Sequence, residues 1–141
     1  MAFNVFDDDK NKIPLTKVER LLWYNPHPTN DFEGTEITIE SSDGSYTIEQ
    51  FTYIDVITVQ GQVQRFRCAQ NSTSIPALSL QQISMQYNDS NVYLASREIE
   101  IKISDHKIKF YDCYKYLINS SSTPTKDNSL LVPMYIRGVT L

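Results

Sequence analysis

Two histidines and a run of aspartates are the side chains best suited to hold a metal ion or to move a proton. His27 stands in the string His27-Pro28-Thr29-Asn30-Asp31-Phe32-Glu33, His106 lies among turn-forming residues, and Asp7-Asp8-Asp9 lies near the N-terminus. Prolines on both sides fix the backbone of His27 without supplying a coordination shell. The aspartate run lacks the spaced oxygen ligands and the glycine of a calcium loop. We therefore predict no metal site, no cofactor and no catalytic residues, and a protein that is not an enzyme.

Cys68 and Cys113 are the only cysteines, which is too few for a disulfide-stapled secreted scaffold. Both lie in segments with strand character, where a cysteine packs as a small buried hydrophobe. Buried thiols are the preferred interpretation, and a disulfide between the two cysteines is the alternative. Two cysteines alone cannot complete a tetrahedral zinc site.

Aromatic residues are a further candidate for chemistry, because the chain carries nine Tyr, six Phe and one Trp. Aromatic faces can stack on sugar rings, and the candidates for a glycan-facing platform are Trp23, Tyr24, Tyr114 and Tyr116. In an all-β domain, however, aromatic side chains more often fill the core or a subunit interface. A structural role is therefore the first interpretation, and glycan binding is the alternative.

The elements that must position these side chains are predicted from the period of the apolar residues. Period two dominates, as in Ile99, Ile101 and Ile103, which alternate with charged residues and so indicate a strand with one buried face. Turn-forming residues such as Ser41-Ser42-Asp43-Gly44-Ser45 separate the patterned segments. The predicted strands or strand pairs are 35–40, 46–60, 63–69, 75–87, 98–103, 108–112 and 130–139. We predict an all-β fold, an antiparallel β-sandwich of the jelly-roll kind.

Three segments need separate interpretations. The segment from Pro14 to Tyr24 fits a helix and a strand equally well. The polar segment 119–128 predicts a long exposed loop. Pro133 within the last strand indicates that this strand lies at a sheet edge or carries a bulge.

Length and charge limit the class of protein. The 141 residues suit one domain, and 17 acidic against 13 basic residues give a net charge of −4. No cluster of Lys and Arg forms a footprint for nucleic acid. No apolar run reaches the roughly 20 residues that span a bilayer, and the acidic N-terminus is unlike a signal peptide. We therefore predict that neither nucleic acid nor a membrane is a partner.

The first 16 residues are predicted to form an N-terminal arm, and residues 17–141 the β-sandwich domain. In the arm, an aspartate-rich centre is flanked by apolar residues, and a chain terminus is loose unless something ties it down. The arm either packs on its own domain or docks on a partner. The candidate docking residues are Phe3, Val5, Phe6, Ile13 and Leu15.

A series of short motifs begins with Leu21-Leu22-Trp23-Tyr24-Asn25-Pro26-His27-Pro28-Thr29-Asn30-Asp31-Phe32. It continues with the alternating strand 35–40, a strand over 53–59 and the hairpin 97–110. It ends with Asn128-Ser129-Leu130-Leu131-Val132-Pro133-Met134-Tyr135-Ile136-Arg137-Gly138-Val139. In the order and spacing of these motifs, the chain resembles small virion-structural domains of tailed bacteriophages. The resemblance covers most of residues 18–140, with a loose match over 60–91.

The resemblance implies a compact antiparallel β-sandwich that serves as a module of a tail, fibre or head-attached protein. It implies a homo-oligomer, most often a trimer, that contacts other virion structural proteins and carries no catalytic residues. The expected location is the virion, after synthesis in the cytoplasm of the host bacterium. The alternative is a head domain that binds a host receptor or a surface glycan. A hydrolase is the least favoured alternative, because acid–base groups are not clustered along the sequence.

Overall fold

The computed structural model describes residues 5–6, 8, 12–13, 18–68, 73–85, 91–118 and 123–140. Strands account for most of them, with one short 3-10 helix, and there is no α-helix within these ranges. In chain order the elements are β1 (Val5–Phe6), β2 (Lys12–Ile13), β3 (Val18–Tyr24), β4 (Thr35–Thr38), the 3-10 helix η1 (Ile48–Gln50), β5 (Tyr53–Thr58), β6 (Val63–Arg67), β7 (Ile75–Met85), β8 (Val92–Lys102), β9 (Lys107–Leu117), β10 (Thr125–Lys126) and β11 (Pro133–Thr140).

Two sheets build the domain, and every strand pair in them is antiparallel. The four-stranded sheet has the order β3-β11-β5-β6. The five-stranded sheet has the order β10-β9-β8-β7, and β4 pairs with the same side of β9 as β10 does, nearer the start of that strand. The two sheets pack together, which confirms the predicted all-β sandwich. Among the described strands, β1 and β2 pair only with each other, in a separate two-stranded sheet.

The core lies between the inward faces of the two sheets. Alternation places Ile99 and Ile101 of β8 opposite Phe110 and Ile108 of β9, and all four side chains are buried. The four-stranded sheet contributes a matching set from β3, β5, β6 and β11, namely Leu22, Ile54, Val56, Phe66 and Ile136. Burial of such side chains contributes about 1.5–3 kcal/mol each and is the main force that holds the sheets together.

Hydrogen bonds also join the sheets along both of their sides. On one side the chain steps from the five-stranded to the four-stranded sheet: the Ile39 amide donates to the His106 carbonyl (2.7 Å), and the Glu40 amide donates to the Leu22 carbonyl (3.1 Å). On the other side, Gln64 of β6 reaches the backbone of β7 through its carboxamide. The sandwich is therefore closed by a chain crossing on one side and by a side chain on the other.

The structure resolves two of the open interpretations at the strands. The segment predicted as helix or strand contains strand β3 over Val18–Tyr24, and residues 14–17 lie outside the described residues. Pro133 begins β11, which lies between β3 and β5, so the edge interpretation was wrong. The register of β11 against β5 shifts between Pro133 and Tyr135, which confirms the bulge interpretation. A proline has no N–H to donate to a neighbouring strand. It is therefore tolerated where that hydrogen bond is not needed, as at the first residue of a strand or at a bulge.

The strands of the predicted hairpin, 98–103 and 108–112, are longer than predicted and span Val92–Lys102 and Lys107–Leu117. Two other segments contain elements that were not predicted. The segment 46–60 contains η1 before β5, because the amide of Thr47 donates to Oε1 of Gln50 (2.7 Å) and this local bond turns the chain. The predicted loop 119–128 contains the two-residue strand β10, which pairs with Tyr114 and Lys115 of β9. Residues 119–122 lie outside the described residues.

Candidate functional site

The outward face of the five-stranded sheet carries an apolar patch. Strand register aligns Ile83 of β7 with Leu94 of β8, and Leu94 with Tyr116 of β9, so one row of apolar side chains crosses three strands. Tyr114 lies two residues before Tyr116 on the same face. Ile83 is 69% exposed, and both tyrosines are exposed. We call Ile83, Leu94, Tyr114 and Tyr116 the outer patch.

The four predicted glycan-facing residues are divided between the two sheets. Tyr114 and Tyr116 belong to the outer patch, whereas Trp23 and Tyr24 lie on β3 of the four-stranded sheet. Trp23 is half-buried and packs against the core. The structure therefore brings the four together only as two separate pairs.

Trp23 and Tyr24 line a groove of ≈ 320 Å³ beside β3. Its wall is largely apolar along β3, and hydroxyl and carboxylate groups lie across from it. The lining residues are Leu21, Leu22, Trp23, Tyr24, Thr38, Glu40, Ser41 and Ser42. Such a combination of aromatic surface and oxygen groups suits a ligand with a C–H face and several hydroxyls, as in a sugar ring.

The side chains of this groove are held from behind. The ring of Trp23 meets the ring of Phe32 edge-on, with centroids 6.3 Å apart. Phe32 in turn meets Phe110 of the core at 5.3 Å. Tyr24 is 61% exposed and forms the open end of the groove. The groove thus combines one fixed and one accessible aromatic side chain.

Arg97 is a buried cation that sequence reasoning missed. Its guanidinium donates to four backbone carbonyl oxygens: those of Leu131 (3.2 Å), Phe32 (2.9 Å), Tyr111 (2.8 Å) and Leu130 (3.0 Å). Burial lowers the pKa of Arg97, and the nearby Cys113 and Asp112 oppose this effect. Because its partners are backbone groups, Arg97 fixes three chain segments and is not available to a ligand.

A second charged cluster lies on the outward face of the four-stranded sheet. Asp55 of β5 is fully buried and accepts two hydrogen bonds from Arg65 (2.7 and 3.0 Å) and one from Arg137 (3.1 Å). Burial raises the pKa of Asp55, but the hydrogen bonds from Arg65 and Arg137 outweigh it, so the pKa lies below its ordinary value. Arg137 also pairs with Glu19 at 3.6 Å. The cluster ties β3, β5, β6 and β11 together.

The residues singled out for metal or redox chemistry are scattered. His27 is exposed, and His106 lies 3.5 Å from Glu49. Within the described ranges, no three His, Cys, Asp or Glu side chains are grouped closely enough to hold a metal ion. Cys68 and Cys113 are both free and buried, which confirms the preferred interpretation over a disulfide.

The candidate docking residues of the arm are only partly covered by the structure. Val5, Phe6 and Ile13 belong to β1 and β2, but the positions of their side chains lie outside the description. Phe3 and Leu15 lie outside the described residues altogether. Docking by the arm therefore stays a prediction.

Comparison with known proteins does not assign this fold to a family: no family model, no curated protein and no solved structure matches the chain. In the part of the chain that the structure describes, there is no helix with the length and apolar character needed to span a membrane.

Proposed function

We propose that the protein is a non-enzymatic structural component of a bacteriophage particle, which forms a homo-oligomer and attaches to a larger virion protein. The outer patch is the observation that carries this proposal. The order of the sequence motifs and the antiparallel sandwich also support it. The site of action is then the assembled virion.

A contiguous apolar patch on a sheet face favours an assembly role for a physical reason. Soluble monomers seldom expose large apolar side chains in a continuous row, and such rows mark contacts with other proteins. Ile83, Leu94 and Tyr116 form such a row on three adjacent strands. Packing against a neighbour removes this surface from water, at roughly 25 cal/mol per Å² of apolar area. Symmetric homo-oligomers are the commonest way in which soluble chains bury such a face.

The mass of the purified chain tests the proposal. Light scattering coupled to size-exclusion chromatography should give the mass of an oligomer, that is, two or more times the 16.3 kDa mass of one chain. Tyr116→Ser should shift the chain toward the monomer. Tyr24→Ser removes an exposed tyrosine from the other sheet and should leave the mass unchanged. Mass spectrometry of purified phage particles should find the chain together with its larger partner.

Two results would contradict the proposal. One is a chain that stays monomeric at all concentrations, and the other is its absence from purified particles. The same mass measurement tests the copy number of three that the resemblance implies.

The groove beside β3 favours a second function, a glycan-binding or receptor-binding head domain. Neutral oligosaccharides at millimolar concentration should then perturb the indole N–H signal of Trp23 in NMR spectra. Tyr24→Ala should remove this effect, and Tyr116→Ala should retain it, because Tyr116 lies on the other sheet. No spectral change with any saccharide tested would count against this second function.

A further inference from the structure

β7 is an edge strand of the five-stranded sheet, and its three parts are protected to different degrees. At its start, Pro76 and the register shift between Ile75 and Leu78 interrupt the edge, and Ala77 there has a φ of 57°. A proline and a bulge both prevent a new strand from pairing with an edge. This first part of β7 is therefore closed to a partner.

The middle part of β7 is covered by Gln64. The carboxamide of Gln64 donates to the carbonyl of Ser79 (2.7 Å) and accepts from the amide of Gln81 (3.1 Å). A carboxamide has the same donor and acceptor as a peptide group, so Gln64 occupies the place that a neighbouring strand would take. The carbonyl of Ser79 and the amide of Gln81 are satisfied in this way, whereas Gln64 leaves the carbonyl of Gln81 unused.

The last part of β7, from Ile83 onward, is open. Backbone groups of alternate residues point to the same side of a strand, so those of Ile83 and Met85 face the same edge as those of Gln81. No described residue hydrogen-bonds the outward groups of Ile83. An open cleft of ≈ 580 Å³ lies against Gln81, Gln82 and Ile83. A strand from another chain can reach this part of the edge.

Charge also distinguishes this part of β7 from the other sheet edges. Natural proteins protect edges with charged side chains. In the four-stranded and five-stranded sheets, the other edge strands all have them: Glu19 and Arg20 in β3, Arg65 and Arg67 in β6, Glu36 in β4, and Lys126 in β10. The stretch from Ser79 to Met85 has no charged residue, no proline and no glycine.

We propose that the open part of β7 pairs with β7 of a second copy of this chain, antiparallel and across a two-fold axis centred on Ile83. The pairing rests on the proposed homo-oligomer and defines one of its interfaces. Ile83 lies opposite Ile83 of the partner subunit, and Gln81 lies opposite Met85 of the partner subunit. Each Ile83 amide donates to the other Ile83 carbonyl, and each Met85 amide donates to the other Gln81 carbonyl.

Two features favour a second copy over another partner. The amide of Gln81 stays bonded to Gln64, and the pairing uses only backbone groups of β7 that Gln64 does not bond. The apolar row of Tyr116, Leu94 and Ile83 continues across the axis into the same row of the copy. Like charges directly opposite each other would destabilise an antiparallel self-pairing. The stretch is uncharged, so no such pair forms.

Disulfide trapping tests this geometry directly. Residues opposite each other in an antiparallel pair have Cα atoms about 5.5 Å apart or closer, which is within reach of a disulfide. Ile83→Cys should therefore give a covalent dimer with oxidised glutathione, seen on a non-reducing gel. Leu21→Cys, at another exposed aliphatic position, on the edge strand β3 of the other sheet, is the matched control and should stay uncross-linked. The native cysteines are buried and do not compete.

A charge variant provides the second measurement. Ile83→Lys places two like charges opposite each other and should weaken dimerisation at least about tenfold, or about 1.4 kcal/mol. Circular dichroism checks its fold, which should persist because Ile83 is exposed.

Each other outcome is informative. A trimer without cross-linking of Ile83→Cys overturns the pairing and leaves the homo-oligomer intact. A monomer at all concentrations overturns both proposals. Equal cross-linking of Ile83→Cys and Leu21→Cys overturns the pairing, because random collision then explains it.

Discussion

Arg97 holds Phe32 at two places at once. Its Nη1 donates to the carbonyl oxygen of Phe32 at 2.9 Å, and its guanidinium carbon lies 5.4 Å from the centroid of the Phe32 ring. Phe32 also supports Trp23 of the groove. A cation buried in β8 therefore fixes both the loop before β4 and the aromatic groove beside β3.

Replacement of Arg97 by Met should lower the free energy of unfolding by about 3–5 kcal/mol, because buried carbonyls lose their donors. Urea denaturation measures this change. Arg67→Met, at an exposed position on β6, is the control and should stay within about 0.5 kcal/mol of the wild type. A loss below about 1 kcal/mol for Arg97→Met would mean that the four hydrogen bonds contribute little.

Asp55 should make the protein sensitive to acid. Its folded-state pKa is lowered, so its contribution to stability is present above the unfolded pKa of about 3.9 and is lost as pH falls through the folded value. Asp55→Asn should therefore be less stable than the wild type at pH 7, and the difference should shrink below about pH 4. Denaturation curves between neutral and acidic pH measure it.

The effect of Asp55 is obtained from the difference in the free energy of unfolding between the wild type and Asp55→Asn at each pH. Asp43, whose pKa is lowered to about 2 by hydrogen bonds from Ser45 and Ser41, and Asp112 also titrate in acid, and both are present in each protein. A stability difference that is independent of pH would show that the Asp55 carboxylate does not carry the effect.

Gly138 of β11 lies directly against Phe51. A Cβ atom at this position would come within 2.2 Å of Cδ2 of Phe51. Gly138→Ala should therefore destabilise the protein by about 1–3 kcal/mol, because the core cannot accept the methyl group without shifting the ring. The double variant Gly138→Ala with Phe51→Leu should lose less stability than the sum of the single changes. Strict additivity in thermal denaturation would exclude this contact as the cause.

Strands could be predicted where apolar and polar residues alternate strictly. The prediction failed where a local hydrogen bond determines the course of the backbone. The alternation of Ile99, Ile101 and Ile103 with charged residues predicts a strand of the β8–β9 hairpin, because a strand with one buried face has an apolar residue at every second position. The β-branched and aromatic residues of 46–60 predict one long strand or two short ones, but Thr47 and Gln50 bond to each other and turn the chain. Such a bond between two side-chain or backbone groups cannot be predicted from residue composition.

The sites were less accessible from the sequence than the strands. Tyr114 and Tyr116 were predicted to share one platform with Trp23 and Tyr24, but these two tyrosines, two residues apart on β9, lie on a different sheet from Trp23 and Tyr24. Ile83 and Leu94 join them only through strand register, which a sequence does not state. Arg97 shares the two-residue period of Ile99 and Ile101, but its partners are backbone carbonyls from distant segments, which the sequence does not show.

The two cysteines should be unreactive in the folded protein. Burial raises the pKa of Cys68 to about 11 and also raises the pKa of Cys113, so little thiolate forms at pH 8. A thiol reagent such as dithionitrobenzoate should label neither cysteine in native buffer and both in guanidinium. Rapid labelling of one native thiol would show that its strand opens easily.

Gln64 should both stabilise the fold and limit its association. Gln64→Ala removes two hydrogen bonds between β6 and β7, at about 1 kcal/mol each, and uncovers the backbone of Ser79 and Gln81. We expect a lower melting temperature together with stronger concentration-dependent light scattering, because a longer free edge pairs with other chains. Gln62→Ala, an exposed residue in the same hairpin, should change neither quantity. If Gln64→Ala lowers stability without increasing association, then Gln64 joins the sheets but does not protect the edge.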